Sequence, residues 1–109
     1  MTRRDVMAEK KDDLLRMIRA VARTLTWFDK TPAPEIAKLL GPYFPDLAAE
    51  LFAQCIDRYR GVRLWATDPL IRREGVERLH ACMRSAGMLS RDIPFEACID
   101  TTLAKAALA

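Results

Sequence analysis

The hydrophobic positions in the first third of the chain follow the period of an α-helix. From Asp12 or Asp13 to Asp29, apolar residues recur at steps of three and four, which places them on one side of a helix: Leu14, Ile18, Val21, Leu25 and Phe28. We name these five residues the Leu14–Phe28 stripe. An acidic start and Lys30 near the end suit the helix dipole, and the prolines that follow end the helix. One long amphipathic helix is therefore predicted.

The next segments predict two further helices. Ala33–Leu40 has a proline in its first turn and is followed by a Gly-Pro pair, so one or two helical turns are expected. Asp46 can cap a longer helix that runs to about Arg60 and buries one face: Leu47, Leu51, Phe52, Cys55, Ile56 and Tyr59. Tyr43 and Phe44, held between two prolines, are expected to fill the edge of the core.

The segment Tyr59–Pro69 predicts a joint between two helical halves. Gly61 can adopt the left-handed conformation that closes a helix. Asp68 can cap the next helix, because its carboxylate accepts hydrogen bonds from free N–H groups and the following proline needs no donor. Trp65 lies between these two signals, where a large ring can fill the space between crossing helices.

The second half predicts one clear helix, from about Pro69 or Ile71 to Ala86, with Gly87 ending it. Its expected buried residues are Val76, Leu79, Met83 and Ala86. Gly75 costs such a helix about 1 kcal/mol relative to alanine, which suggests that another backbone approaches closely there.

The remaining tail predicts a turn, a short helical piece and a final helix from about Asp100. We find no run of alternating or β-branched residues long enough for a strand. The predicted fold class is therefore all-α, with four or five helices in a single domain that covers residues 1–109.

Composition narrows the class of protein without indicating a function. Hydrophobic residues make up 50% of the 109 residues and charged residues 30%, which is typical of a globular chain. The net charge of +3 is too small to indicate a nucleic-acid or membrane partner. No apolar run reaches the roughly 20 residues of a membrane span. The N-terminus lacks a signal-peptide core, so a cytoplasmic location is expected if the chain is a complete gene product.

Residues with catalytic or metal-binding side chains are few and scattered. His80 has Glu77 and Arg84 at helical spacing, but no nucleophile pattern accompanies it. His80 and Cys82 are two positions apart and so lie on different faces of a helix, which does not suit a zinc site. We therefore predict no enzyme activity, no catalytic residue, no metal site and no cofactor. Three residues, Cys55, Cys82 and Cys98, are interpreted as small buried hydrophobes, and Trp27 and Trp65 as core aromatics.

Two sets of arginines could in principle bind the phosphate groups of a nucleic acid. Arg16, Arg19 and Arg23 share a helix with acidic residues, so a solvated face is expected. A helix-turn-helix interpretation would place four arginines of the later helix in a DNA groove: Arg72, Arg73, Arg78 and Arg84. The connection before that helix is too long for the motif, and no nucleic-acid partner is expected.

An ordered series of short motifs resembles a known family. The series comprises Thr2-Arg3-Arg4-Asp5-Val6-Met7-Ala8-Glu9-Lys10, Thr26-Trp27, Tyr43-Phe44-Pro45-Asp46, Arg58-Tyr59, Leu64-Trp65-Ala66-Thr67-Asp68-Pro69, Glu74-Gly75-Val76-Glu77-Arg78-Leu79, Ala86-Gly87-Met88-Leu89, Ile93-Pro94-Phe95-Glu96 and Ile99-Asp100-Thr101. In this order it looks like the C-terminal part of a periplasmic substrate-binding protein of the nitrate/sulfonate/taurine group, also called the NMT1/THI5-like family. The resemblance covers the whole chain but only about the last third of such a protein.

The resemblance implies a periplasmic, two-lobed α/β protein that closes over a small solute and delivers it to the permease of an ABC importer. This chain lacks the strands of both lobes and the ligand-lining loops, so no ligand-binding residue is carried over. It corresponds to helices that cover one lobe, entered through Thr2–Lys10. Its expected partners are the rest of that protein and the permease.

Helices that have lost the sheet they cover keep a free apolar face. We therefore expect the isolated chain to self-associate, as a symmetric dimer through the Leu14–Phe28 stripe or the segment from Leu47 to Tyr59. The alternative interpretation is a stand-alone helical interaction or regulatory module, and a small DNA-binding protein ranks third.

Overall fold

The computed structural model describes residues 2–109 and is all-helical over that range, which confirms the predicted fold class. Seven α-helices follow one another, and a 3₁₀ turn, Gly41–Tyr43, lies between the third and the fourth. In chain order they are α1 (Arg4–Glu9), α2 (Lys11–Lys30), α3 (Ala33–Leu40), α4 (Ala49–Gly61), α5 (Arg73–Ser85), α6 (Phe95–Cys98) and α7 (Thr102–Leu108). Five of them have seven or more residues, in agreement with the predicted number.

The chain divides into two compact units. One unit combines the residues up to Arg19 with Pro69–Ala109, and the other is Ala20–Asp68. We name them the terminal unit and the central unit. The boundary after Asp68 falls within the predicted joint. That the two units form a single domain stays a prediction made from chain length.

The buried core is small and lies in the central unit, where α3 packs against α4. Its four buried residues are Ala33, Ile36, Ala37 and Ile56. Four half-buried residues pack around them: Phe28, Leu40, Phe52 and Ala53. The helices α1, α2, α5, α6 and α7 contain no fully buried residue.

Helix ends with strong local signals match the predictions. α3 begins and ends where the flanking proline and glycine indicate, and α5 ends at Ser85, one residue before the predicted end at Ala86. Two predicted N-terminal caps are wrong. Asp46 is used in a turn closed by a 3.1 Å hydrogen bond from the Leu47 N–H to the Phe44 carbonyl, and α4 begins only at Ala49. α5 begins at Arg73, so Asp68 lies too far upstream to cap it. α1 was not predicted as a helix.

The left-handed residue that closes α4 is an arginine, whereas the sequence predicts a glycine in this role. Gly61 is still within the helix, and the left-handed residue is Arg63, with φ of 52°. The Arg63 N–H donates to the Arg60 carbonyl at 2.9 Å, and the Leu64 N–H donates to the Tyr59 carbonyl at 3.0 Å. These two bonds form a Schellman motif, which normally has glycine at the left-handed position. The same pair of bonds closes α5 at Gly87, where φ is 70°.

Replacing Arg63 with glycine is expected to raise the free energy of unfolding by about 1 kcal/mol, because glycine adopts the left-handed conformation without a Cβ clash. Urea unfolding followed by tryptophan fluorescence measures the change. Arg58→Gly is the matched control, because the same substitution inside α4 is expected to destabilise by about 1 kcal/mol. A lower stability for Arg63→Gly would contradict the proposed strain.

Gly75 has no packing reason to be glycine, contrary to the prediction of a close backbone approach. A Cβ added at this position meets no heavy atom within 4 Å. We expect Gly75→Ala to stabilise α5 by about 1 kcal/mol, since alanine loses less backbone entropy in a helix. Thermal unfolding followed by circular dichroism tests this. Gly87→Ala should do the opposite, because its positive φ disfavours any Cβ, and equal effects of the two variants would refute the argument.

Candidate functional site

Arg60 joins the end of α4 to the end of α2. Its Nη2 donates to the carbonyl oxygens of Phe28 and Thr31, the second at 2.7 Å. In a continuing helix the Phe28 carbonyl would accept the N–H of the residue four positions later, but that residue is Pro32, which has none. The guanidinium of Arg60 therefore replaces a donor that the sequence removes.

Aromatic rings surround this contact within the central unit. The Cζ of Arg60 lies 5.0 Å from the ring centroid of Phe28. The Phe28 and Trp65 ring centroids are 4.7 Å apart, and those of Tyr59 and Trp65 are 5.6 Å apart, both edge to face. Trp65 packs on two rings, but 38% of it stays exposed, so its interpretation as a core aromatic is wrong. The rings pack edge to face on one another, so their arrangement indicates a packing role.

The residues considered for catalysis do not form a site. His80 is half-buried on α5, and Arg84 donates to Asp92 at 2.6 Å. Over residues 2–109, no group of three or more His, Cys, Asp or Glu side chains could hold a metal ion. Cys55 is half-buried, whereas Cys82 and Cys98 are exposed, so the interpretation of all three as buried hydrophobes is wrong. That the chain is not an enzyme stays a prediction.

Within the terminal unit, Arg73 connects α5 to α6. Its guanidinium pairs with the Glu96 carboxylate and lies 4.6 Å from the centroid of the Phe95 ring. Arg73 and Arg84, which a DNA-binding helix would direct toward phosphate, are both engaged with carboxylates. The connection from α4 to α5 covers residues 62–72, which is eleven residues and too long for a helix-turn-helix.

Two carboxylates of the terminal unit titrate below their ordinary range. The hydrogen bond from Arg73 lowers the pKa of Glu96. Hydrogen bonding from the Thr102 side chain, and then from the Thr102 N–H to Asp100 Oδ1 at 2.8 Å, lowers the pKa of Asp100. Both groups are fully exposed to solvent, which limits the stabilisation that each provides.

Acid is therefore expected to weaken the terminal unit. A carboxyl whose folded pKa is depressed stabilises the fold above its unfolded pKa, near 4.5 for Glu96, and loses that contribution as the pH falls through the folded pKa. We expect Glu96→Gln to lose less stability than the parent chain between about pH 6 and about pH 3, followed by circular dichroism in urea. Glu50→Gln, at an exposed position of α4, should keep the parent profile. Identical profiles for all three proteins would contradict the role of Glu96.

Many large apolar side chains are exposed. Tyr43, which was expected to fill the core edge, is 78% exposed. Phe44 is 49% exposed, although its ring centroid lies 5.1 Å from that of Phe52. Within the Leu14–Phe28 stripe, Val21 is exposed and the other four residues are half-buried. Further exposed apolar residues on α2, α3 and α4 include Met17, Leu39 and Leu51.

Exposed apolar side chains on one side of a helix form a surface that another segment can bury. Over the described residues, no helix is long and apolar enough to cross a membrane.

Comparison with known proteins finds weak similarity to a protein whose name mentions binding. The relative found is "Putative binding protein YtlA" of Bacillus subtilis (strain 168), with 21% identity over 105 residues. The match covers 96% of this chain and 31% of the relative, so the chain spans about a third of the length of the protein it matches. No protein-family model and no solved structure matches the chain.

Proposed function

We propose that this chain is the C-terminal helical part of a solute-binding protein of an ABC importer, of the NMT1/THI5-like kind, and that it carries no catalytic site. Its role is to cover a lobe of the larger protein with the apolar faces of its helices. The residues that contact the solute lie in the rest of that protein. Delivery of a solute to a permease belongs to the assembled protein.

The exposed large apolar side chains are the observation that carries this proposal. On α2 and α4 they include Met17, Val21 and Leu51, and such side chains are ordinarily covered by another segment. Similarity to a protein named as a binding protein, matched over about a third of its length, supports the same interpretation. The ordered motifs from Thr2 to Thr101 supply the finer assignment to the NMT1/THI5-like family.

The DNA upstream of the Met1 codon tests the proposal directly. We expect an in-frame sequence that encodes the strands of two lobes and a signal peptide. A stop codon followed by a ribosome-binding site would reject the proposal and favour the alternative, a stand-alone helical interaction or regulatory module.

Hydrogen exchange provides a physical test on the longer protein. If the preceding polypeptide covers these helices, the amides of α2 should exchange more slowly in the longer protein than in the isolated chain. Amides of α3 provide the internal control, since its core residues are already buried in the isolated chain. Equal exchange of α2 in both proteins would refute the covering role.

We also propose that the isolated chain self-associates, because exposed apolar side chains such as Met17, Val21 and Leu51 favour burial against a second copy. A standard interface needs only about 800 Å² from each partner. Val21→Glu, at an exposed position of the Leu14–Phe28 stripe, should shift the population to monomers in light scattering, whereas Thr26→Glu, off the stripe, should not. A monomeric parent chain at high micromolar concentration would disprove self-association without bearing on the upstream sequence.

A further inference from the structure

Trp27 lies on the polar side of α2, away from the Leu14–Phe28 stripe. It is four positions after Arg23 and three before Lys30, so these three side chains share one helix face. Trp27 is 40% exposed, and its interpretation as a core aromatic is therefore wrong. A large aromatic on a basic helix face is not explained by the packing of the central unit.

Trp27 forms one wall of a shallow groove in the central unit. The groove is lined by Ala22, Arg23, Thr26, Trp27, Lys30 and Thr31, and its volume is about 460 Å³. The hydroxyls of Thr26 and Thr31 donate to helix carbonyls, at 3.1 Å and 2.7 Å, so their protons are not directed into the groove. The groove wall is therefore mainly apolar, with a cation on either side.

In the part of the chain that the structure describes, the side chains of Arg23 and Lys30 are not paired with a carboxylate. Within residues 2–109, neither Arg23 nor Lys30 forms an ion pair. Seven residues of helix place them about 10 Å apart along the axis. Asp29 is two positions from Trp27 and so lies on the opposite side of the helix.

We propose that this groove binds an acidic peptide segment of a partner protein. An apolar side chain of the peptide packs on the indole of Trp27, and carboxylates on either side of it pair with Arg23 and Lys30. Charge complementarity and the open, apolar groove favour a peptide. A net charge of +3 is small for binding a duplex or an anionic lipid surface. The proposal does not rest on the solute-binding assignment.

Selection from a random octapeptide display library tests the proposal on the full 109-residue chain. The enriched peptides are expected to carry acidic residues on both sides of an apolar one. They should lose at least about tenfold in affinity for the double variant Arg23→Glu, Lys30→Glu, the size expected for about 1.4 kcal/mol. Lys38→Glu, an exposed charge reversal in the same unit but outside the groove, should bind as the parent does. Enrichment of neutral or basic peptides, unchanged binding by the double variant, or no enrichment would overturn the proposal.

Fluorescence locates the binding site. In a Trp65→Phe background Trp27 is the remaining tryptophan, and titration with an enriched peptide should give a saturable change in its emission that weakens with salt. No emission change at saturation would place the peptide elsewhere and reject the groove. If a duplex or phosphatidylglycerol vesicles change the emission and no acidic peptide does, or if the emission changes only with protein concentration, the occupant is not a peptide and the proposal fails.

Discussion

Ile36→Ala is expected to lower the free energy of unfolding of the central unit by about 2–5 kcal/mol, the range for removing a buried isoleucine side chain. Ile36 has no exposed surface and lies at the centre of the contact between α3 and α4. The buried core has only four residues, so few neighbours can close the resulting cavity. Small domains have about 5–15 kcal/mol of stability in total, which makes this loss severe.

Urea unfolding followed by tryptophan fluorescence measures this loss, because Trp27 and Trp65 both lie in the central unit. Leu39→Ala is the matched control. Leu39 lies on the same helix but is 59% exposed, so its truncation should cost well under 1 kcal/mol. Similar losses for both variants would show that α3 is not organised around the Ile36 contact.

Arg60→Ala is expected to destabilise the central unit by about 3 kcal/mol. Removing the guanidinium leaves the Phe28 and Thr31 carbonyls without their charged donor, and each such hydrogen bond contributes about 1.5–3 kcal/mol. The contact with the Phe28 ring is lost as well. The partial exposure of Arg60 keeps the total below the sum of these contributions.

A lysine at position 60 should recover only part of this stability, because a single ammonium group cannot present the planar fork of a guanidinium. Arg58→Ala supplies the control, since Arg58 is an exposed arginine of the same helix. The same fluorescence measurement applies. If Arg60→Ala and Arg58→Ala gave equal unfolding midpoints, the link between α4 and the end of α2 would not contribute to stability.

The predictions are accurate where the deciding interactions join residues close together in the sequence. The bounds of α2 and α3 are read correctly because prolines, glycines and apolar periodicity act within one or two helical turns. The predictions of a helix cap at Asp46 and of a left-handed residue at Gly61 are wrong because each residue also suits another local conformation. Asp46 also suits a turn after proline, and a glycine in the last helical turn need not be the left-handed residue.

The candidate sites were harder to predict than the helices. The helical period places Trp27 off the Leu14–Phe28 stripe, which indicates an exposed position. The prediction of a core aromatic followed instead from the general preference of tryptophan for protein interiors. No comparable signal exists for Arg60, whose partners Phe28 and Thr31 lie about thirty residues earlier. Cys82 was misjudged because its environment depends on which segments pack over α5.

By itself, the sequence determined that this protein is all-helical and where α2 and α3 begin and end, since backbone hydrogen bonds and capping act between residues at most a few positions apart. Only the tertiary structure decided that Ile36 is fully buried, that Arg60 replaces the donor missing at Pro32, and that Tyr43 and Val21 are exposed. Periodicity shows which side of a helix is apolar. Burial requires a second segment to pack on that side, and that contact joins residues far apart in the chain.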